Sequence, residues 1–146
     1  MSTPPENAEV VRHWLTKAAN DLKNAENTLA TLPDPDCPLD TVCFHAQQCA
    51  EKALKALLIS RGIPIEKTHN IGQLLYLCKP GSAWVEKFEG VEKLTHYAVD
   101  SRYADSPSEE IDRQEAVWAV ALAERVFGEV RRQLASFFGP ETPRVS

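Results

Sequence analysis

The chain lacks the features of a membrane protein and of a protein that coats nucleic acid. Its 146 residues carry a formal net charge of −5, which argues against bulk attraction to nucleic acid or to anionic membrane. No apolar run is long enough to cross a bilayer, and residues 1–7 are polar and proline-containing rather than an apolar signal segment. We therefore expect a cytoplasmic protein in which any phosphate site is local.

The sequence also lacks the common motifs of metal and cofactor sites. Its four cysteines form no C-x-x-C pair. Cys43 and Cys49 lie about 240° apart around a predicted helix, so they cannot chelate together. Because both flank an apolar stripe and Cys78 follows an apolar run, we expect buried, reduced thiols. With no glycine-rich phosphate loop, H-E-x-x-H, G-x-S-x-G or EF-hand loop, we expect no metal and no cofactor.

Sustained two-residue alternation is absent as well, so the sequence predicts no β-strands. Apolar residues instead recur at steps of three and four, which is typical of amphipathic helices. Proline, glycine and capping residues divide the chain into predicted helices over 11–32, 38–62, 71–79, 84–102 and 106–138. The predicted fold class is all α: an up-and-down four-helix bundle with one additional short helix. This domain is expected to cover residues 8–138, between a flexible N-terminus, 1–7, and a flexible tail, 139–146.

Local signals define several of these helix ends. Thr68 or Asn70 is expected to cap the short helix, and Gly90 is a weak point inside the helix over 84–102. Residues 106–109 read Ser-Pro-Ser-Glu, the pattern of a capping box with proline at the first helical position. We therefore expect the last helix to begin there.

The helix over 38–62 carries two stripes. One is small or apolar and is expected to face the core; it consists of Leu39, Val42, Cys43, Ala46, Cys49, Ala50, Ala53, Leu54 and Leu57. Steps of three, four and three residues align a second stripe, here named the polar file: His45, Gln48, Lys52 and Lys55. The polar file faces either water or a ligand.

A phosphate or nucleotide surface is one interpretation of the polar file, because two ammonium groups about a turn apart can share anionic oxygens. A solvated face is the simpler interpretation of the residues alone, since lysines at helical spacing are ordinary and Glu51 partly neutralises them. Phe44 lies off the apolar stripe, where it either widens the buried arc or forms a dimer contact. We favour the dimer contact.

A second candidate segment is Lys67-Thr68-His69, which precedes the short helix. The exposed backbone N–H groups of a helix start favour an anion beside a basic side chain. His69 serves equally well as a cap or a packing residue.

A third candidate group lies near the end of the helix over 84–102. His96, Tyr97, Arg102 and Tyr103 bring a base, hydroxyls and a guanidinium within two turns, together with the Asp105 carboxylate. A structural turn, in which Arg102 pairs with Asp105, explains the same residues equally well.

Four segments resemble the HEPN domain family, the helical nucleotide-binding module of higher eukaryotes and prokaryotes. They are 14–22, 43–56, 67–71 and 101–105, so the resemblance extends over nearly the whole chain. It implies a helical bundle that dimerises and that is often encoded beside a minimal nucleotidyltransferase. Members include ribonuclease toxins, antitoxin-like partners and nucleotide binders.

The ribonuclease members of that family carry an arginine followed, after four to six intervening residues, by a histidine. In this chain no histidine follows Arg102. Arg61 and His69 are in the right order, but seven residues separate them, and glycine and proline among these exclude a helical presentation. The resemblance therefore favours a binding module over an enzyme.

We expect a homodimer that engages a nucleotide or RNA, a nucleotidyltransferase partner, or both, within a toxin–antitoxin type pair. The expected ligand-binding residues are His45, Gln48, Lys52, Lys55, His69, Arg102 and Tyr103. The alternative is a metal-independent ribonuclease toxin whose degenerate active site uses His96, Arg102 and Tyr103 across the dimer interface. A dimeric scaffold without a ligand is the third interpretation.

Overall fold

The computed structural model describes residues 6–65, 67–78, 84, 88–98 and 111–138. These residues include four α-helices and one short 3₁₀ helix with defined bounds, and Trp84 is helical as well. No β-strand occurs among these residues, which confirms the all-α prediction. In chain order the elements are α1 (Ala8–Leu29), α2 (Leu39–Ser60), α3 (Ile71–Leu77), the 3₁₀ helix (Val91–Tyr97) and α4 (Arg113–Phe138).

Helix α2 lies at the centre of the fold and contacts all the other elements. Its predicted apolar stripe is confirmed: eight of its nine members are at most 2% exposed, and the ninth, Leu39, is half-buried. The buried arc is much wider than the stripe, because Gln47, Glu51 and Lys55 are buried too. Alanines at four core positions allow α1 and α4 to pack closely on α2. They are Ala46, Ala50, Ala53 and Ala56.

Helix α4 begins later than the capping-box pattern predicts. Residues 106–109 lie outside the described residues, but Ile111 and Asp112 are not helical. The Asp112 carboxylate accepts a hydrogen bond of 2.8 Å from the backbone N–H of Glu115 and thereby caps the helix. The prediction that the last helix begins at 106–109 is therefore wrong.

Two short helices fold over one side of α2. The cap at Asn70 is confirmed, since its side-chain oxygen accepts from the Gln73 N–H at 2.9 Å. The continuous helix predicted over 84–102 is wrong, because Gly90 has φ +87° and this left-handed conformation ends a right-handed helix. A 3₁₀ helix follows it, and Thr95 Oγ1 accepts from the Ile71 N–H at 2.9 Å, which joins the two short helices.

The cysteines are free thiols, and three of the four are buried, as predicted. Burial raises the pKa of Cys43 to about 12 and that of Cys78 to about 11. Burial also raises the pKa of Cys49. These thiols therefore pack as small apolar side chains. Within the described ranges, no helix has the length and apolar character needed to cross a membrane.

Two glycines give opposite predictions for substitution by alanine. Gly90→Ala is expected to lower the free energy of unfolding by about 1 kcal/mol, because a Cβ strains a left-handed backbone. The Cβ itself would meet Trp118 at an ordinary 3.6 Å. Gly128 lies within α4, where a Cβ would meet nothing within 4 Å. Gly128→Ala is expected to raise the free energy of unfolding by roughly 0.5–1 kcal/mol. Urea unfolding of both variants measures the two changes. A Gly90→Ala variant that is as stable as the parent chain would contradict the strain expected at Gly90.

Candidate functional site

Two buried carboxylates organise the polar side chains of α2. Asp21 on α1 is 8% exposed, and Glu51 on α2 is 3% exposed. Burying a carboxylate costs several kcal/mol unless cations and hydrogen-bond donors surround it. The residues that satisfy these two carboxylates include most of the polar file.

The Asp21 carboxylate binds two side chains of α2. Lys52 Nζ donates to Asp21 Oδ2 at 2.6 Å, and His45 Nδ1 lies 3.0 Å from Oδ1. The Lys52 and His45 side chains are about one quarter exposed, 24% and 25% respectively. This group, the Asp21 site, ties α1 to α2 and still borders solvent.

The Glu51 carboxylate receives three partners. Gln47 Nε2 donates to Oε1 at 2.8 Å, and Lys55 Nζ donates to Oε2 at 3.0 Å. His69 Nδ1, from the loop before α3, lies 2.8 Å from Oε1. The Lys55 side chain is only 7% exposed, whereas that of His69 is 53% exposed. The Glu51 site therefore ties the loop to α2 and presents one imidazole to solvent.

Gln48 and Trp14 complete these surroundings. Gln48 Nε2 donates to Gln47 Oε1 at 2.6 Å, so its amide joins the hydrogen bonds around Glu51. Lys55 Nζ lies 5.6 Å from the centre of the Trp14 ring, within range of a cation–π contact. We use the name carboxylate network for the Asp21 and Glu51 sites together with Gln48.

The structure thus brings His45, Gln48, Lys52, Lys55 and His69 together, as the ligand-binding hypothesis requires. Three of the four members of the polar file, His45, Lys52 and Lys55, bind buried carboxylates, so the file is more than a row of solvated side chains. Lys55 is the extreme case: it packs between Glu51 and Trp14 and has little surface left for a ligand. Arg102 and Tyr103 lie outside the described residues.

Sequence reasoning missed Asp21 and Gln47 as members of the site. Asp21 directly precedes Leu22, on the buried side of α1, and a mid-helix aspartate beside the apolar seam was a usable signal. Gln47 comes four residues before Glu51, the spacing that places two side chains on neighbouring turns. Both signals are local, but only the packing of α1 on α2 shows which residues Asp21 binds.

The charges of the carboxylate network cancel when both histidines are neutral. Lys52 and Lys55 supply two positive charges, and Asp21 and Glu51 supply two negative charges. A neutral imidazole facing a carboxylate donates from the facing nitrogen, here Nδ1, which leaves Nε2 as a hydrogen-bond acceptor. Chemically, the site can therefore orient two imidazoles and accept hydrogen bonds at their Nε2 atoms.

The third candidate group is separate from this network. The Tyr97 hydroxyl donates to the Glu115 carboxylate, and burial together with this bond raises the pKa of Tyr97. Both residues line an open pocket of about 820 Å³ with His96 and Trp118. The Tyr97 hydroxyl is thus held by Glu115, and Arg102 and Tyr103, the other members of the catalytic alternative with His96, lie outside the described residues.

Phe44 is half-buried and makes an edge-on contact with the His45 ring at 5.5 Å. This contact places Phe44 beside the Asp21 site. Its role as a dimer contact stays a prediction. Across the described part of the chain, no group of three or more His, Cys, Asp or Glu side chains is arranged to hold a metal ion.

Comparison with known proteins identifies relatives over the same helices. A sequence profile described as "HEPN domain" matches residues 11–133, which include the whole carboxylate network. A protein of Methanocaldococcus jannaschii named "Putative toxin MJ1304" is 29% identical over 148 residues, covering 91% of this chain and 93% of that protein.

Two crystal structures show the same fold. ST0689, described as an archaeal HEPN homologue, superposes with a TM-score of 0.66 at 28% identity and covers 85% of this chain and 97% of its own. TT1696 from Thermus thermophilus superposes with a TM-score of 0.67 at 31% identity, and the match covers 85% of this chain and 98% of TT1696.

The buried Glu51–Lys55 pair predicts a large and non-additive effect on stability. Glu51→Leu leaves the Lys55 ammonium buried without a carboxylate, so we expect the free energy of unfolding to fall by about 3 kcal/mol or more. In the double variant Glu51→Leu/Lys55→Met both charges are removed, and we expect a loss smaller by at least about 1 kcal/mol. Urea unfolding measures both, with Lys23→Met, at an exposed position of α1, as the control. Equal losses in the single and double variants would show that the unpaired ammonium is not the cause.

A carboxyl pair between α1 and α4 predicts a pH effect on stability. The hydrogen bond to Glu26 raises the pKa of Glu124 from 4.5 to about 7, and partial burial and repulsion between the two carboxylates contribute to this shift. The folded chain therefore binds this proton more tightly than the unfolded chain, and the free energy of unfolding falls as the pH rises from about 4.5 to 7. Glu124→Gln removes this loss, which solvent screening limits to about 1 kcal/mol. Thermal unfolding between pH 5 and 8 should show that the stability of Glu124→Gln relative to the parent chain increases with pH. A difference that stays constant over this range would contradict the raised pKa of Glu124.

Proposed function

The chain belongs to the HEPN domain family, and from that premise we propose that it is a homodimeric binding module of the cytoplasm. Its ligand carries phosphate, as a nucleotide or as RNA, and its protein partner is a nucleotidyltransferase. The single observation that carries the proposal is the pair of solvent-bordering imidazoles, His45 and His69, each oriented by a buried carboxylate.

We assign the proposed binding residues two roles according to their exposure. His69, Lys52, His45 and Gln48 border solvent and contact the ligand. Lys55 is buried against Glu51 and holds that carboxylate in place instead of contacting the ligand. Arg102 and Tyr103 remain proposed ligand contacts on the basis of the family resemblance.

A role in a toxin–antitoxin type pair belongs to the same proposal. The Methanocaldococcus relative bears the name of a toxin, and the match covers 91% of the length of this chain. The ribonuclease alternative has less support, because no histidine follows Arg102 at the spacing of the ribonuclease members.

Isothermal titration of ATP, GTP and a short RNA into the purified chain tests the binding proposal. We expect at least one of them to bind, and we expect His69→Gln and Lys52→Met each to weaken binding by roughly tenfold, the effect of one lost charged or oriented hydrogen bond. Sedimentation of the same samples measures the mass, for which we expect a dimer.

The matched control is Lys23→Met, which removes a lysine charge from an exposed position of α1 outside the carboxylate network. It should leave the affinity within about twofold, since surface charges remote from a site act weakly. The proposal would be contradicted if none of the three ligands gave a heat of binding and a pull-down recovered no nucleotidyltransferase partner. Gel analysis of the recovered RNA shows cleavage if the ribonuclease alternative holds.

A further inference from the structure

The open pocket of about 820 Å³ lies between the 3₁₀ helix and the first turns of α4. Its described walls contain no residue of the carboxylate network, so it is a second concave site. Pockets of this volume hold small molecules, and a few polar groups in the wall decide which ones. We name it the acidic pocket.

The charge of the acidic pocket disfavours an anion. Among the lining residues that the structure describes, Glu89, Asp112 and Glu115 bear carboxylates, whereas Lys93 bears an ammonium. These four charges sum to −2, and even a protonated His96 leaves the sum negative. A concave wall of one sign concentrates ligands of the opposite charge. The lining therefore favours a ligand with two positive charges.

Hydrogen bonds hold two of these carboxylates in place. The Tyr97 hydroxyl donates to Glu115, and the Asp112 carboxylate accepts from the Glu115 backbone N–H at 2.8 Å. An ionised carboxylate has about four acceptor sites, so these hydrogen bonds leave acceptor capacity for a ligand. The pocket thus presents carboxylates that are positioned before a ligand arrives.

Trp118 gives the pocket an aromatic wall. Its side chain is half-buried and lines the pocket. A Cβ at residue 90 would lie 3.6 Å from Trp118 Cζ2, so Gly90 places no side chain against that part of the indole. Indole attracts ammonium and guanidinium groups more strongly than the other aromatic side chains do. Carboxylates beside an indole are a combination that recognises an organic cation.

The arrangement favours an organic cation over a metal ion. Within the described ranges, no three His, Cys, Asp or Glu side chains are arranged to hold a metal ion. A divalent metal ion requires several ligand oxygens at about 2–2.6 Å from one point. A flexible chain with two cationic ends has no such requirement, because each end binds a separate part of the wall.

We propose that the acidic pocket binds a small organic dication, a diamine or a guanidino-amine. One cationic group lies against the Trp118 indole, and the other binds the carboxylates of Glu89, Asp112 and Glu115. This site and its ligand are independent of the phosphate-bearing ligand proposed for the carboxylate network.

Titration calorimetry with the full chain at neutral pH and low salt tests the proposal. The probes are agmatine, which has a guanidinium and an ammonium, and putrescine, which has two ammonium groups. The matched control ligand is 1,4-butanediol, which has the carbon chain of putrescine without its charges. We expect at least one of the two dications to bind and the diol to give no heat. Binding should weaken at high salt, because salt screens exposed charges.

Substitutions of opposite charges in the pocket should act in opposite directions. Glu89→Gln removes attraction and should weaken binding roughly three- to fivefold, whereas Lys93→Met removes repulsion and should tighten it by a similar factor. The matched control is Glu92→Gln, which removes a carboxylate from an exposed position of the 3₁₀ helix outside the described lining. It should leave the affinity within about twofold, since exposed charges remote from the ligand act weakly.

Trp118→Leu measures the aromatic contribution and should weaken binding by roughly threefold or more. Because Trp118 packs against the core, circular dichroism verifies that this variant is folded. The exposed positions Glu89 and Lys93 decide the question if it does not fold.

Several results would overturn the proposal: neither dication binds, the diol binds equally well, or Lys93→Met weakens the binding of a dication. Displacement of the dication by Mg²⁺ at matched ionic strength would show a general acidic surface and overturn it too. Binding of a diarginine peptide without binding of either small dication would assign the pocket to a protein segment and overturn the small-molecule ligand. Phosphate binding at the carboxylate network is tested separately and does not depend on these results.

Discussion

The buried carboxylate of Glu51 is the constraint on which the candidate site depends. A carboxylate that is 3% exposed is tolerated only when charge and hydrogen bonds surround it. Gln47 and Lys55 supply two donors from the adjacent turns of α2, and His69 supplies the third from the loop before α3. One electrostatic requirement thus sets the positions of three side chains and fastens the loop to the central helix.

The same principle applies at Asp21, where the consequence is a contact between helices. Asp21 binds Lys52 and His45, which lie seven residues apart and so nearly above one another on α2. An apolar interface rich in alanine would accept more than one offset of α1 along α2, because small side chains interlock weakly. We interpret the Asp21 contacts as the interaction that selects one offset, a role attested for buried polar groups in helical assemblies.

Periodicity predicted the elements well, because the apolar stripe of α2 reflects a local repeat that burial then confirms. The ends of the later helices were harder to predict. Asp112 and Glu115 have the same three-residue spacing of cap and acid as residues 106–109, so the local pattern offered two starts and could not choose between them. The effect of Gly90 depends on its positive φ, which the helical spacing of the surrounding residues does not reveal. The contacts of His45 and Lys52 follow from Asp21 on another helix, a tertiary contact that no spacing within α2 encodes.

The histidines decide how the network is interpreted. Lys52 already balances the charge of Asp21 and Lys55 already balances that of Glu51, so neither imidazole is needed as a positive charge. A hydrogen bond to Glu51 could come from any neutral donor, yet the donor in the loop is a histidine whose side chain is 53% exposed. An imidazole contributes a second ring nitrogen, which can hydrogen-bond a ligand while the first nitrogen faces the carboxylate. A purely structural network makes no use of that property, whereas a network that binds a phosphate-bearing ligand does.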